Sequence, residues 1–179
     1  MTTSFDVGPA SAPETLVFDD DGRTPNSRYP VLIYRGLMAG TDDEALAAAF
    51  EAAFEAHDWP PQWRGGVFAY HHFHSNAHEA LAVYAGEAEL VLGGEDGQPV
   101  HIAAGDVLIL PAGTGHCRIS ASNDFALTAA YPVGHGDWDL CRPGETNHAR
   151  ATVRITQVPT PTADPVTGTD GALSRLWVD

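Results

Sequence analysis

Lysine is absent from this chain. All nine basic residues are arginine, set against 24 aspartates and glutamates for a net charge of −15. Without a lysine amine there is no Schiff base, no covalently held pyridoxal phosphate and no phosphate-loop lysine. A field this negative repels phosphate backbones, so nucleic acid is not an expected partner. Cysteine is almost as scarce. Cys117 and Cys141 form no CxxC and are too few for a disulfide framework. No apolar run approaches the ~20 residues of a membrane helix. The opening MTTSFDVGPASAPE lacks the basic and apolar regions of a signal peptide, so a soluble cytoplasmic protein without membrane attachment is expected. No internal repeat is visible.

What the 179 residues do contain is a globular composition, 44% apolar and 18% charged. Residues 1–14 read as a loose arm. Strands are expected at 15–18 and 31–35. Thr41 and Glu44 form a T-x-x-E capping box, and Leu46, Phe50 and Phe54 recur every four residues, which predicts a helix over 42–57 ended by Pro60 and Pro61. From residue 66 the texture changes to short apolar runs between Gly, Pro, Asn and Asp. Strands are expected at 67–74, 79–85, 88–92, 100–103, 107–110, 116–120 and 125–131, with one more at 152–158. Many short strands with no helix between them predict an all-β sandwich, jelly roll or barrel. The turn-rich tail is expected as an extended wrap pinned by Leu176 and Trp177.

Four of nine histidines fall within residues 71–78, in the run HHFHSNAH, followed by Glu79. In a strand, residues i and i+2 share a face, so His72 and His74 project together and His71 points away. The loop 75–78 reverses the chain and lets Glu79 meet both imidazoles. Two neutral nitrogens and a carboxylate on one side of a cation form a facial site for divalent metals. A further donor, His116, follows the turn GTGH. Buried imidazoles and a carboxylate are costly without a cation or a partner. Tyr70 shares the face of His72, and is either a phenol donor to substrate or a packed ring. Arg118 alternates with His116, and either holds an anionic substrate or pairs with an acid. His78 is a candidate to orient Glu79. Cys117 alternates outward. Phe68, Tyr70, Leu81 and Val83 are expected as cavity walls. Trp59, Trp63 and Trp138 read as packing anchors or as walls of its mouth.

These residues resemble the cupin family. Its first motif, G-x5-H-x-H-x4-E-x6-G, is met by Gly66, His72, His74, Glu79 and Gly86. Its second, G-x5-P-x-G-x2-H-x3-N, is met by Gly105, Pro111, Gly113 and His116, with Ser120 in place of Asn. The order of these segments, with AYPVGHGDWD after them, is also similar to single-domain bacterial cupins. The resemblance implies a double-stranded β-helix, a jelly-roll barrel spanning 66–131. Residues 1–65 would pack on it and 132–179 would wrap it. It further implies one divalent transition metal per chain (Fe, Mn, Ni, Zn or Cu) on His72, His74, Glu79 and His116, and a homodimer. The implied function is a metal-dependent, dioxygenase-like oxidoreductase acting on a small organic acid, with Tyr70 and Arg118 as catalytic candidates. The alternatives are a non-redox isomerase, epimerase or lyase, or a cupin that binds a small ligand without turnover.

Overall fold

The computed structural model describes residues 12–38 and 42–178. Its strands are β1 (Glu14–Leu16), β2 (Val31–Tyr34), β3 (Pro61–Gly65), β4 (Glu79–Ala85), β5 (Glu87–Leu92), β6 (Gln98–Ala103), β7 (Val107–Leu110), β8 (His116–Ala121) and β9 (Ala126–Ala130). Its helices are α1 (Asp43–Ala56), α2 (His148–Gln157) and α3 (Ala172–Leu176). Residues 1–11 of the expected arm and Thr41 of the expected capping box lie outside the described residues. The side chain of Asp42 caps α1, accepting from the Ala45 N–H at 2.9 Å.

The strands form two antiparallel sheets, one of six in the order β1-β2-β7-β4-β9-β3 and one of three in the order β6-β5-β8. Period-2 alternation decides what lies on each face of the large sheet. On β4, Leu81 and Val83 point at the small sheet, where they meet Leu90, Leu92 and Ile102; Ala80 and Ala82 point at α1, where they meet Leu46, Phe50 and Phe54. The small alanines let the helix approach closely. Trp59 and Trp177 complete this outer layer.

This corrects the expected all-β jelly-roll barrel. The fold is mixed α/β, with three helices and two sheets that keep free edges and are neither closed into a barrel nor strongly curled. The reason lies in the segment expected as a strand at 67–74. Instead of a continuous ladder it makes two isolated bridges in different directions, His72 to His116 and Phe73 to Cys141. A strand there would have laced the two sheets together. The strand expected at 152–158 is also replaced, by α2, which Asn147 caps by accepting from the Arg150 N–H at 3.0 Å. In the tail Trp177 is buried and donates to the Pro30 carbonyl at 2.8 Å, whereas Leu176 is exposed.

Candidate metal centre

The two bridges that break the strand also build the site. His72 exchanges backbone hydrogen bonds with His116, N to O at 3.2 and 2.9 Å, which sets the first residue of β8 beside the segment carrying His72 and His74. The turn before β8 depends on Gly113 at φ +95°, where a Cβ would lie 2.3 Å from the Asn26 carbonyl oxygen. Phe73, fully buried between the two histidines, anchors the segment against Cys141 and Ala151.

His72, His74 and His116 are all buried and offer one ligand atom each, all within 4.8 Å of one another. Their other ring nitrogens are occupied. His72 Nδ1 donates to the Tyr70 carbonyl at 3.0 Å, His116 Nδ1 to the Thr114 carbonyl at 3.0 Å, and His74 Nδ1 to the Asp139 carbonyl. A carbonyl can only accept, so each Nδ1 carries a proton and each Nε2 is the nitrogen left to meet a ligand. This is the tautomer a metal-bound imidazole requires, fixed by an outer layer of backbone acceptors. The three form a facial histidine cluster capable of coordinating a divalent metal.

Glu79 stands on the flank of this cluster. Its Oε2 lies 3.5 Å from His74 Nε2 and 3.3 Å from His116 Nε2. Its Oε1 accepts from the Tyr131 hydroxyl at 2.6 Å, while Oε2 is buried without a hydrogen-bond partner. An orphaned carboxylate oxygen facing imidazole nitrogens fits a cation between them. The charges respond accordingly. Burial alone would raise the Glu79 carboxyl, but His74 and His116 overcome it and hold it well below the usual carboxylate range. Burial works against charge on His74, yet the same carboxylate raises its pKa. Burial, reinforced by His116, pushes His72 down to about 3, keeping that ring neutral.

The cluster forms the floor of a cavity of about 280 Å³ whose walls include Trp63, Val67, Phe68, Leu81, Tyr131 and Trp138. Of the expected walls, Phe68 and Leu81 are there, and Tyr70 and Val83 are not among the lining residues. The Tyr70 ring stacks on Phe68 at 4.9 Å and carries the Arg142 guanidinium 4.4 Å above it. Arg118 is half-buried and lies outside the lining, its backbone N–H bound to the Phe68 carbonyl at 2.9 Å. His78 takes a structural place: Nδ1 accepts from the Ala112 N–H at 2.9 Å and Nε2 donates to the Pro159 carbonyl at 3.2 Å. Burial and the neighbouring His135 press it down to about 3. Cys117 is buried, which raises its thiol. Trp59 sits in the outer layer, away from the cavity.

Two site residues were not singled out in the sequence. Tyr131 follows Leu127 and Ala129 at i+2 spacing on β9 and its exit, so alternation already aimed it inward. Asp139 had no such signal. Its carbonyl holds His74, while its carboxylate accepts from the Ser75 N–H at 2.7 Å and from the Ser75 hydroxyl, and sits 3.5 Å from the Arg154 guanidinium of α2.

Residues 62–129 match the family model described as "Cupin domain". Over 167 residues the chain is 38% identical to the uncharacterized protein YjlB of Bacillus subtilis (strain 168), an alignment covering 92% of this chain and 96% of that protein. The chain belongs to the cupin superfamily. Its likeness to solved structures is looser. The TDP-quinovose 3,4-ketoisomerase WlaRB of Campylobacter jejuni aligns at 15% identity and TM-score 0.37, over 54% of this chain and 69% of that one. A conserved uncharacterized protein with a double-stranded beta-helix domain from Klebsiella pneumoniae aligns at 14% identity and TM-score 0.35, over 75% and 88%. A three-histidine metal-binding cluster of this kind is typical of cupin enzymes. Among the described residues of this cupin, no helix is long and apolar enough to cross a membrane.

Proposed function

We propose that this cupin is a non-redox, metal-dependent enzyme, an isomerase, epimerase or lyase acting on a small organic carbonyl compound. His72, His74 and His116 are its metal ligands. Glu79 stands at the ion's edge and is the group that takes and returns a proton. The observation that carries this reading is the division of the Glu79 carboxylate, with Oε1 held by Tyr131 and Oε2 unpartnered and turned to the histidines.

A bound divalent ion would supply Lewis-acid polarisation of the substrate oxygen. The remaining work falls to side chains. Each imidazole is pre-oriented by its Nδ1 hydrogen bond, so the three nitrogens are placed before any ligand arrives. Burial first, then the Glu79 charge, raises the Tyr131 hydroxyl far above its ordinary range, so it stays protonated and keeps donating to Oε1. Proton movement is thereby confined to Oε2. Oε2 accepts a proton from the carbon beside the substrate carbonyl. Returning it to a neighbouring carbon isomerises the substrate; returning it to the same carbon after the planar intermediate has turned over epimerises it; and breaking the bond from the next carbon to a leaving group, which departs with that bond's electron pair while the proton stays on Oε2, makes the reaction a lyase step. The apolar walls keep bulk water from competing for that proton.

The test is hydrogen exchange under strict anaerobiosis. Zinc-loaded protein incubated in deuterium oxide with acetylacetone, phenylpyruvate or dihydroxyacetone should catalyse deuterium entry at the carbon beside the carbonyl. Glu79→Gln should slow that entry by about 10²–10⁴-fold. Turnover seen only with dioxygen and an iron- or copper-loaded protein would move the assignment to an oxidoreductase. Tight binding with no exchange would make it a ligand-binding cupin.

A further inference from the structure

Resting on the metal-enzyme reading above, we infer that the substrate is a small molecule with a single oxygen-bearing end and an apolar, ring-sized remainder that carries no charge. The polar side chains of the cavity wall are already engaged with one another or with the backbone. The Trp63 indole N–H is spent on the Tyr131 hydroxyl at 2.9 Å, and that hydroxyl is spent on Glu79. The Trp138 N–H is spent on Gln62 Oε1 at 2.9 Å. All three histidine Nδ1 atoms are spent on backbone carbonyls. What remains free for a ligand is the Nε2 set and Glu79 Oε2, all gathered on the floor. No arginine is among the lining residues, and the chain has no lysine.

Above that floor a ligand meets carbon. The Trp138 ring stacks on Tyr131, with centroids 5.6 Å apart and planes within 16°, and meets the His74 ring edge-to-face with centroids 5.1 Å apart. Phe68, 48% exposed, stands at the entrance. Sugar hydroxyls or a phosphate brought here would lose water and find no side-chain partner, at a cost of about 1–3 kcal/mol for each group left unpaired. A flat apolar ring gains from the same surface. A cavity of about 280 Å³ lies at the small end of ligand pockets, which leaves room for one ring and a short head.

The test uses cobalt-loaded full-length protein and two pairs of probes. Benzohydroxamate and acetohydroxamate share a metal-binding head and differ by a ring; glucose 6-phosphate and inorganic phosphate share an anion and differ by a sugar. Calorimetric titration should find benzohydroxamate at least tenfold tighter than acetohydroxamate, and glucose 6-phosphate no tighter than phosphate. Phe68→Ala and Trp138→Ala should each reduce the ring's advantage, leaving acetohydroxamate affinity and cobalt content within twofold. Equal binding of the two hydroxamates, a tenfold gain from the sugar, or a ring advantage intact in both variants would overturn the inference. If the ring preference holds and no hydrogen exchange occurs, the proposed reaction fails and the substrate class stands. A chain that takes up no cobalt overturns both.

Discussion

Two carboxylates are buried on opposite faces of the large sheet, and they live in different company. Asp164, in the outer layer, is 0% exposed and fully engaged: Oδ1 accepts from the N–H groups of Val166 and Thr167, and Oδ2 accepts from the Tyr34 hydroxyl at 2.7 Å and the Leu173 N–H at 3.1 Å. Glu79, on the inner face, is 2% exposed and has one oxygen with no hydrogen-bond partner. Burial alone therefore does not mark a functional acid. Asp164 ties the C-terminal segment to β2, and its charge is consumed by donors that belong to the fold. Glu79 keeps an unspent acceptor beside the Nε2 atoms of His74 and His116. The outer face is built to stay shut, and the inner one to receive a ligand.

That contrast breaks most readily at Asp164. Asp164→Ala strands three backbone donors and leaves the Tyr34 hydroxyl only its long 3.4 Å contact with Thr167, and should cost about 3 kcal/mol or more in denaturant unfolding. Glu79→Gln keeps an acceptor for Tyr131 and should move the unfolding midpoint far less, while hydrogen exchange by the zinc-loaded protein is lost. Equal destabilisation by the two would erase the distinction.

A smaller effect sharpens the inner side. Asp139 touches the cluster only through its carbonyl, which its own carboxylate positions by binding Ser75 and Arg154. Asp139→Ala should lower zinc affinity about 10–100-fold by competition titration, with all three histidines still present. Unchanged affinity would show that the carbonyl stays in place without its anchor.

The smallest effect belongs to the outer surface. The Arg64 hydrogen bond to Glu51 holds that carboxyl below its ordinary value despite partial burial. A carboxylate with a depressed folded pKa contributes stability that is present above the unfolded value of about 4.3 and lost as pH falls through the folded one. Glu51→Gln should remove that part of the acid dependence, by under about 1 kcal/mol because the pair is partly exposed. Zinc affinity should not follow.

The inner face was far more legible in the sequence than the segments that finish it. Both histidine-bearing segments were readable because metal ligation demands particular residues at set spacings, although the strand expected to carry His72 and His74 does not form. β4 and β7 fall on their expected bounds, since continuous apolar runs between turn residues have few other homes. The 152–158 region misled because Thr152, Val153, Ile155 and Thr156 are β-branched and favour strands. The helix there draws on Asn147 as its cap and on Arg154, whose Nε donates to the Ser75 hydroxyl at 2.7 Å. That partner is 79 residues away in sequence and invisible to local pattern. Trp138 and Asp139 reach the site the same way, carried by the pairing of Phe73 with Cys141. The barrel expectation failed where His72 and Phe73 pair with different neighbours, and the all-β expectation failed at α2.

If three imidazoles hold a divalent ion, metal content per chain reports it. Elemental analysis of the purified full-length protein should find roughly one transition-metal ion per chain. His72→Ala and His116→Ala should each reduce it steeply while circular dichroism stays unchanged. Full occupancy in the doubly substituted protein would mean that the ion is held elsewhere.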